Sequence, residues 1–252
     1  MPTPLVPWPG GKRRLAKSIL PLFQEPHRTY VEPFAGGAAL LFMRDPAPVE
    51  ILNDINGELV RLYRCVQHHL DELIRQFRWS LVSSEMFRWA KLQHPDTLTD
   101  IQRAARFFYL QKVAFGAKVS TRHFGRSATQ PPRLNLLRIE EDLSAAHLRL
   151  ARVTIEQMPW AECITRYDSP ETLFYLDPPY WETEGYGVDF GMEQYEHLAE
   201  RMRGMKGRPV LSINDHPEIR RIFEGFSISG LSTSYTIGRE AKAARELLIT
   251  RA

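Results

Sequence analysis

Thr29-Tyr30-Val31-Glu32-Pro33 runs straight into Phe34-Ala35-Gly36-Gly37-Ala38-Ala39-Leu40-Leu41-Phe42. The first stretch has strand character, and a glycine turn then opens onto an apolar run that reads as a helix. A second short strand, Glu50-Ile51-Leu52-Asn53, follows and ends at Asp54. Strand, turn, helix and strand in this order begin a doubly wound α/β sheet. Outward from this unit, Val153–Glu156, Leu173–Leu176, Val210–Ile213 and Leu247–Thr250 read as further strands, with Phe226–Tyr235 a weaker alternating candidate. Tyr195, Leu198, Ala199, Met202 and Met205 form a helical stripe between them. Asp215 and Glu218 resemble a capping box for a helix through Phe223.

The middle of the chain differs. Leu59, Leu62, Tyr63, Val66, Leu70, Leu73, Ile74 and Phe77 recur at helical spacing, and a second helix is predicted from Ile101 to Phe115. No strand is predicted between residues 58 and 135. One α/β domain built from residues 1–57 and 136–252 is therefore expected, interrupted by a mostly helical insertion over residues 58–135.

At 252 residues the chain is long enough for one such core with an inserted unit. With 43% hydrophobic and 25% charged residues it is neither disordered nor fibrous in composition. No apolar run approaches the roughly 18–20 residues that span a bilayer, and the start lacks signal-peptide order. Cys65 and Cys163 are too few for a disulfide framework. The cytoplasm is the expected location. The net charge of +3 hides an asymmetry: Ile101 to Arg138 carries eight basic residues and no acid, leaving 25 basic against 30 acidic elsewhere. A polyanion partner or a solvated basic face would each account for that segment.

Three motifs bear chemistry. Glu32-Pro33-Phe34-Ala35-Gly36-Gly37 lies between strand and helix, where glycines admit a ligand to the backbone; alone it is as well explained by a structural turn. It lacks a full G-x-G-x-x-G, which disfavours a dinucleotide. Asp54, 18 residues after Gly36, stands where a carboxylate accepts ribose hydroxyls, or where it makes an Asx turn. Asp177-Pro178-Pro179-Tyr180 follows an apolar strand at the edge where open α/β sheets bind ligands. Its prolines hold the Pro178 carbonyl beside the Asp177 carboxylate, two acceptors suited to a planar amino group, with Tyr180 as a stacking surface. A rigid exit turn with a buried Tyr180 is the plainer alternative. Trp8-Pro9-Gly10-Gly11-Lys12 places an ammonium after a tight turn, and by itself reads as a frayed terminus. The eight histidines show no metal spacing, and Trp181 to Gly191 is either a lid or an ordinary surface loop.

Trp-Pro-Gly-Gly-Lys, Glu-Pro-Phe-x-Gly-Gly, Asn-Asp-Ile-Asn and Asp-Pro-Pro-Tyr, in this order around a helical insertion, resemble the Dam-type DNA adenine methyltransferases in the α arrangement. The tail Ala244–Ile249 resembles the family's closing strand. The resemblance implies a Rossmann-like sheet, S-adenosylmethionine as cofactor, and transfer of its methyl group to the exocyclic amino group of a flipped-out adenine in double-stranded DNA. It implies cofactor contacts from Trp8, Gly11, Lys12, Glu32, Pro33, Phe34, Ala35, Gly36, Asp54 and Asp177. Asp177, Pro178, Pro179 and Tyr180 would hold and stack the target base. The basic insertion would recognise DNA, with Lys112, Lys118, Arg122, Arg126 and Arg133 as phosphate contacts. A monomer needing neither membrane nor metal is expected. Ala38 departs from the family's frequent glycine, and its place at a helix start predicts tolerance. Phe115-Gly116-Ala117-Lys118 departs where many members carry Asn-Gly, so no recognition sequence is carried over. The same acceptor geometry would suit an RNA base or a protein amide, and a non-catalytic DNA-binding relative is a further alternative.

Overall fold

The computed structural model describes residues 3–115, 122–125, 129, 131, 134–182, 190–237 and 240–251, with the side chains of 233–237 and 240–244 left aside. A 3₁₀ turn over Lys12–Arg14 precedes α1 (Ala16–Ile19), and β1 (Thr29–Glu32), α2 (Ala39–Met43) and β2 (Val49–Asn53) follow. Next come α3 (Gly57–His68), α4 (Leu70–Arg75), α5 (Ser84–Leu92), α6 (Asp100–Val113) and α7 (Ile139–Leu150). The second half holds β3 (Val153–Glu156), α8 (Trp160–Tyr167), β4 (Thr172–Leu176), α9 (Met192–Gly204) and β5 (Arg208–Asn214). The chain ends with α10 (Pro217–Ile222), β6 (Ser227–Ile237) and β7 (Glu240–Thr250).

The seven strands form one sheet in the order β3-β2-β1-β4-β5-β7-β6. β1 to β5 are parallel, while β7 runs antiparallel between β5 and β6. The order reverses between β1 and β4, so the loops after these two neighbours diverge and open a crevice. The predicted strands all form, and the Phe226–Tyr235 candidate is part of an eleven-residue strand.

Alternation along the strands feeds two cores. Tyr30, Leu52, Tyr175, Val210 and Leu248 face α3 to α7, whereas Val31, Ile51, Phe174, Leu211 and Leu247 face the layer of α8, α9 and α10. The first core takes in Leu59, Tyr63, Phe107, Phe108 and Leu143 as well, so the helical segment shares its core with one face of the sheet. α3 is bound to that sheet directly: Arg64 donates to the Ile155 carbonyl, and Gln67 to those of Leu150 and Val153.

Two local expectations are corrected. His216, not Asp215, caps α10, its Nδ1 accepting from the Glu218 amide, because Asp215 is drawn into a salt bridge with Arg220. Ala38 lies just before α2 rather than within it, at φ 47°, a left-handed conformation that glycine takes without steric cost. The alanine there retains a strain that a helical position would not impose.

The basic stretch is also less free than its composition suggests. Arg103 pairs with Glu58 and Asp96, Arg106 donates to the Ala90 carbonyl, and Arg138 pairs with Glu141. Lys112 and Arg122 are half-buried over the Phe108 and Phe107 rings, and burial lowers both their pKa values, that of Arg122 to about 10. Lys118, Arg126 and Arg133 lie outside the described residues, as does the centre of the loop from Trp181 to Gly191.

Asn53 braces the strand ends that carry the site. Its amide donates to the carbonyls of Pro33 (2.9 Å) and Met158 (3.0 Å), and its Oδ1 accepts from the Met158 amide (2.9 Å). Asn53→Ala leaves these buried groups unpaired, and each such group costs about 1–3 kcal/mol. Urea unfolding is expected to show a loss of about 3 kcal/mol; a loss under about 1 kcal/mol would show that water replaces the side chain.

Candidate active site

The crevice at the strand-order reversal opens into a cavity of about 280 Å³. Its wall includes Trp8, Gly11, Lys12, Glu32 to Gly37, Asp54, Asp177 and Pro179. Parallel pairing of β1 with both β2 and β4 is the cause: the turn after β1, Asp54 after β2 and Asp177 after β4 leave the sheet side by side.

At Gly36 two constraints coincide. Its φ is +48°, and a Cβ there would stand 2.6 Å from Trp8 Cδ1. Only a residue without a side chain lets the Trp8 ring close over the turn. The Gly36 amide donates to Asp54 Oδ2 (2.9 Å), and its carbonyl accepts from the Tyr63 hydroxyl (2.6 Å). Asp54 also accepts from the Asn56 amide at Oδ1 (2.8 Å), so the Asx turn and the cavity-lining carboxylate are one feature. Burial raises the Asp54 pKa, and these amide donors pull it back.

The N-terminal motif is anchored instead of frayed. Gln111 of α6 donates to the Pro7 carbonyl (2.9 Å), and Lys12 is 2% exposed. The Lys12 ammonium forms a 2.6 Å salt bridge with Asp177 Oδ1 and donates to the Gly10 carbonyl (2.8 Å) and the Tyr180 hydroxyl (2.7 Å). The Asp177 side chain is 21% exposed, opening to the cavity, and accepts from Ser212 Oγ (3.3 Å). Burial raises its pKa, while Lys12 and Ser212 oppose that rise.

Pro179 lines the cavity, but Pro178 and Tyr180 are buried. Tyr180 is therefore not presented as an open stacking surface in this structure. Its hydroxyl lies between Lys12 and Glu246, with the Lys12 ammonium 4.5 Å from the ring centroid.

Several site residues escaped the sequence reading. Glu246 is a charged residue at the head of an apolar strand run, and Ser212 a polar one inside Val210-Leu211-Ser212-Ile213; each is a weak signal that burial of its strand gives meaning. Trp160 and Phe190, also unread, join the expected Phe34 in an aromatic wall, with Phe34 5.9 Å from Trp160 and 5.8 Å from Phe190 between ring centroids. Trp160 Nε1 donates to Gln194 Oε1 (2.9 Å) on the same wall. Among the described residues no group of three or more His, Cys, Asp or Glu side chains could hold a metal ion, and no helix is long and apolar enough to cross a membrane.

Glu32 is 2% exposed and accepts from the Tyr30 hydroxyl (2.7 Å) and the Leu41 amide (3.1 Å), both at Oε1. Burial raises its pKa to about 8, against an ordinary 4.5, with nearby Asp177 adding to the rise. The folded state thus keeps a proton that the unfolded chain has released. The resulting stability is complete below about pH 4.5 and is lost as pH rises through about 8. Glu32→Gln keeps the Oε1 acceptor and removes the titration. Between pH 5.5 and 7.5 the variant's stability should fall less steeply than the parent's, by up to about 1.4 kcal/mol per pH unit in urea titrations. Parallel slopes would show that Glu32 is ionised in the folded protein.

Residues 8–237 match the family described as D12 class N6 adenine-specific DNA methyltransferase. The type II methyltransferase M.CviBI of Paramecium bursaria Chlorella virus NC1A is 26% identical over 229 residues, covering 88% of this chain and 87% of its own. The type II methyltransferase M1.LlaDCHI of Lactococcus lactis subsp. cremoris is 24% identical over 278 residues, covering 98% and 94%. The DNA adenine methylase of Haemophilus influenzae is 24% identical over 254 residues, covering 94% and 88%. The match spans the cavity from Trp8 through Asp177 and most of the sheet, and with it the chain belongs to the D12 class of N6 adenine-specific DNA methyltransferases.

Proposed function

We propose that Asp177 and the Pro178 carbonyl accept the amino protons of an adenine flipped out of double-stranded DNA, while S-adenosylmethionine lies in the cavity between Trp8 and Trp160. The observation that carries this reading is the juxtaposition of Asp177, exposed to the cavity, with a wall in which Trp8 closes on Gly36 and Asp54 hooks the same turn. A nucleoside-bearing cofactor fits that wall: Asp54 has lone pairs left for ribose hydroxyls, and Phe34, Trp160 and Phe190 offer flat surfaces to a base. When bound, the cofactor supplies a methyl group on a sulfonium, a leaving group that needs no further activation.

The protein's part is positioning and charge. The adenine amino nitrogen is a poor nucleophile because its lone pair is delocalised into the ring. Hydrogen bonds from its two protons to Asp177 and the Pro178 carbonyl favour a pyramidal nitrogen whose lone pair is directed at the methyl group. Burial raises the Asp177 pKa, and Lys12 and Ser212 oppose that rise and so favour the carboxylate. Flipping the base costs about a few kcal/mol. Stacking on Tyr180 recovers part of that cost, on the order of 1–3 kcal/mol, and requires the groups covering its ring to give way while its hydroxyl stays between Lys12 and Glu246.

Residues 58–135 act as the target-recognition unit in this reading, with the sheet formed by residues 1–57 and 136–252 as the methyl-transfer unit. Arg88 and Lys91 line a shallow groove with Phe87, Leu92, His123 and Phe124, a mixture of cations and rings that suits a nucleic acid. Lys118, Arg126 and Arg133 are the phosphate-contact candidates of this unit, since Lys112 and Arg122 are held over the Phe108 and Phe107 rings. The protein works as a monomer in the cytoplasm.

Asp177→Ala should abolish transfer of labelled methyl groups from S-adenosylmethionine to an adenine-containing duplex while the fold survives. Retained transfer would remove Asp177 from the chemistry. Asp54→Ala should weaken S-adenosylhomocysteine binding at least tenfold by calorimetry; unchanged affinity would leave Asp54 a turn-former only. Neutralising Lys118, Arg126 and Arg133 together should flatten the log–log salt dependence of duplex binding by about 0.9 for each phosphate they neutralise. An unchanged slope would move the DNA interface elsewhere.

A further inference from the structure

Glu246 lies in the tail that resembles the family's closing strand, outside the four motifs that line or flank the cavity, yet it is fully buried beside them. β7 runs antiparallel to β5 and pairs Glu246 with Asn214, at the C-terminal end of β5. The carboxylate therefore reaches the sheet edge from which Asp177 emerges. A carboxylate buried there is costly unless it is paired.

Its surroundings form a chain of hydrogen bonds with one direction. The Lys12 ammonium has three protons, and it has acceptors in Gly10 (2.8 Å), Tyr180 (2.7 Å) and Asp177 (2.6 Å). The Tyr180 hydroxyl accepts from Lys12 and donates to Glu246 Oε1. Because a carboxylate only accepts, Glu246 dictates which way the Tyr180 proton points. That leaves the hydroxyl oxygen facing Lys12, and Lys12 in turn is held with a proton on Asp177. Among the described residues, the charged groups around Glu246 are Lys12 and Asp177, with Glu32 of β1 beyond Asp177 and the hydroxyls of Tyr175, Tyr180 and Ser212 completing the cluster.

We infer that Glu246 is a positioning residue for methyl transfer: through the Tyr180 hydroxyl and the Lys12 ammonium it holds the Asp177 carboxylate where the adenine amino group must meet it. The inference rests on the role assigned to Asp177 above.

The test is the single-turnover rate at saturating S-adenosylmethionine and duplex, measured from pH 5.5 to 9 for the parent, E246A, E246Q, Y180F, E246A/Y180F, E246Q/Y180F and D177A. E246A is expected to slow the step at least tenfold, with S-adenosylhomocysteine affinity within threefold of the parent. E246Q still offers an acceptor to Tyr180, and should recover most of that rate. Its acidic limb should move to lower pH, because a negative charge facing Asp177 has gone. Each double variant should be no slower than its slower single parent, as members of one chain are not additive. An unimpaired E246A, an E246Q as slow as E246A, or multiplicative double variants would overturn the inference. If E246A fails to fold, E246Q, Y180F and their double variant carry the same comparison. Full activity in D177A would instead refute the role of Asp177, whereas an inactive D177A beside an unimpaired E246A would refute the positioning role alone.

Discussion

The Lys12 ammonium is hydrogen-bonded into the cluster of buried acids at the site, and the remaining geometry is arranged around it. Asp177 and Glu246 both depend on it, Asp177 directly and Glu246 through the Tyr180 hydroxyl. Charges withdrawn from water in this way are tolerated only when each is met by a fixed partner. Glu32, whose pKa burial and the nearby Asp177 both raise, escapes the problem by keeping its proton. Among the described residues, the cluster around Lys12 thus sets Glu32, Asp177 and Glu246 against one ammonium and one retained proton.

Holding Lys12 there demands that the segment from Pro7 to Lys12 be fixed in place. The structure meets this demand with α6: Gln111 fastens the Pro7 carbonyl, and Phe107 packs near the Trp8 ring, 6.4 Å between centroids. A helix of the segment proposed to choose the DNA target thereby supports the loop that closes over the cavity. The shared core makes the coupling mechanical, since Phe107 and Phe108 belong to the same packed cluster as Tyr30 and Tyr175 of the sheet.

Much of this was legible in residue order. The strand–glycine–helix unit, Asp54, and Asp177-Pro178-Pro179-Tyr180 each announce themselves by local chemistry, because turns, strand ends and proline-fixed backbones have short-range causes. The basic stretch was legible as composition but not as surface. Arg103, Arg106 and Arg138 find acids or carbonyls of their own, and Arg122 lies on a ring. Glu58 stands 45 positions from Arg103, and Ala90 stands 16 from Arg106, so neither pairing can be read from neighbours in sequence. Glu246 and Ser212 were missed for the same reason, each being one polar residue in an apolar strand until the neighbouring strands are known.

By itself, the sequence determined the class of fold and placed the turn at Gly36 and the Asp177-Pro178-Pro179-Tyr180 exit at the ends of strands, since these follow from periodicity and from backbone chemistry within a few residues. Only the tertiary structure decided which groups meet. The reversal of strand order between β1 and β4 sets the turn at Gly36 beside Asp177, and antiparallel insertion of β7 brings Glu246 to the same edge. Local propensity gives no preference for one neighbour over another; sheet order is settled by which faces can be buried together, and that is a property of the whole chain.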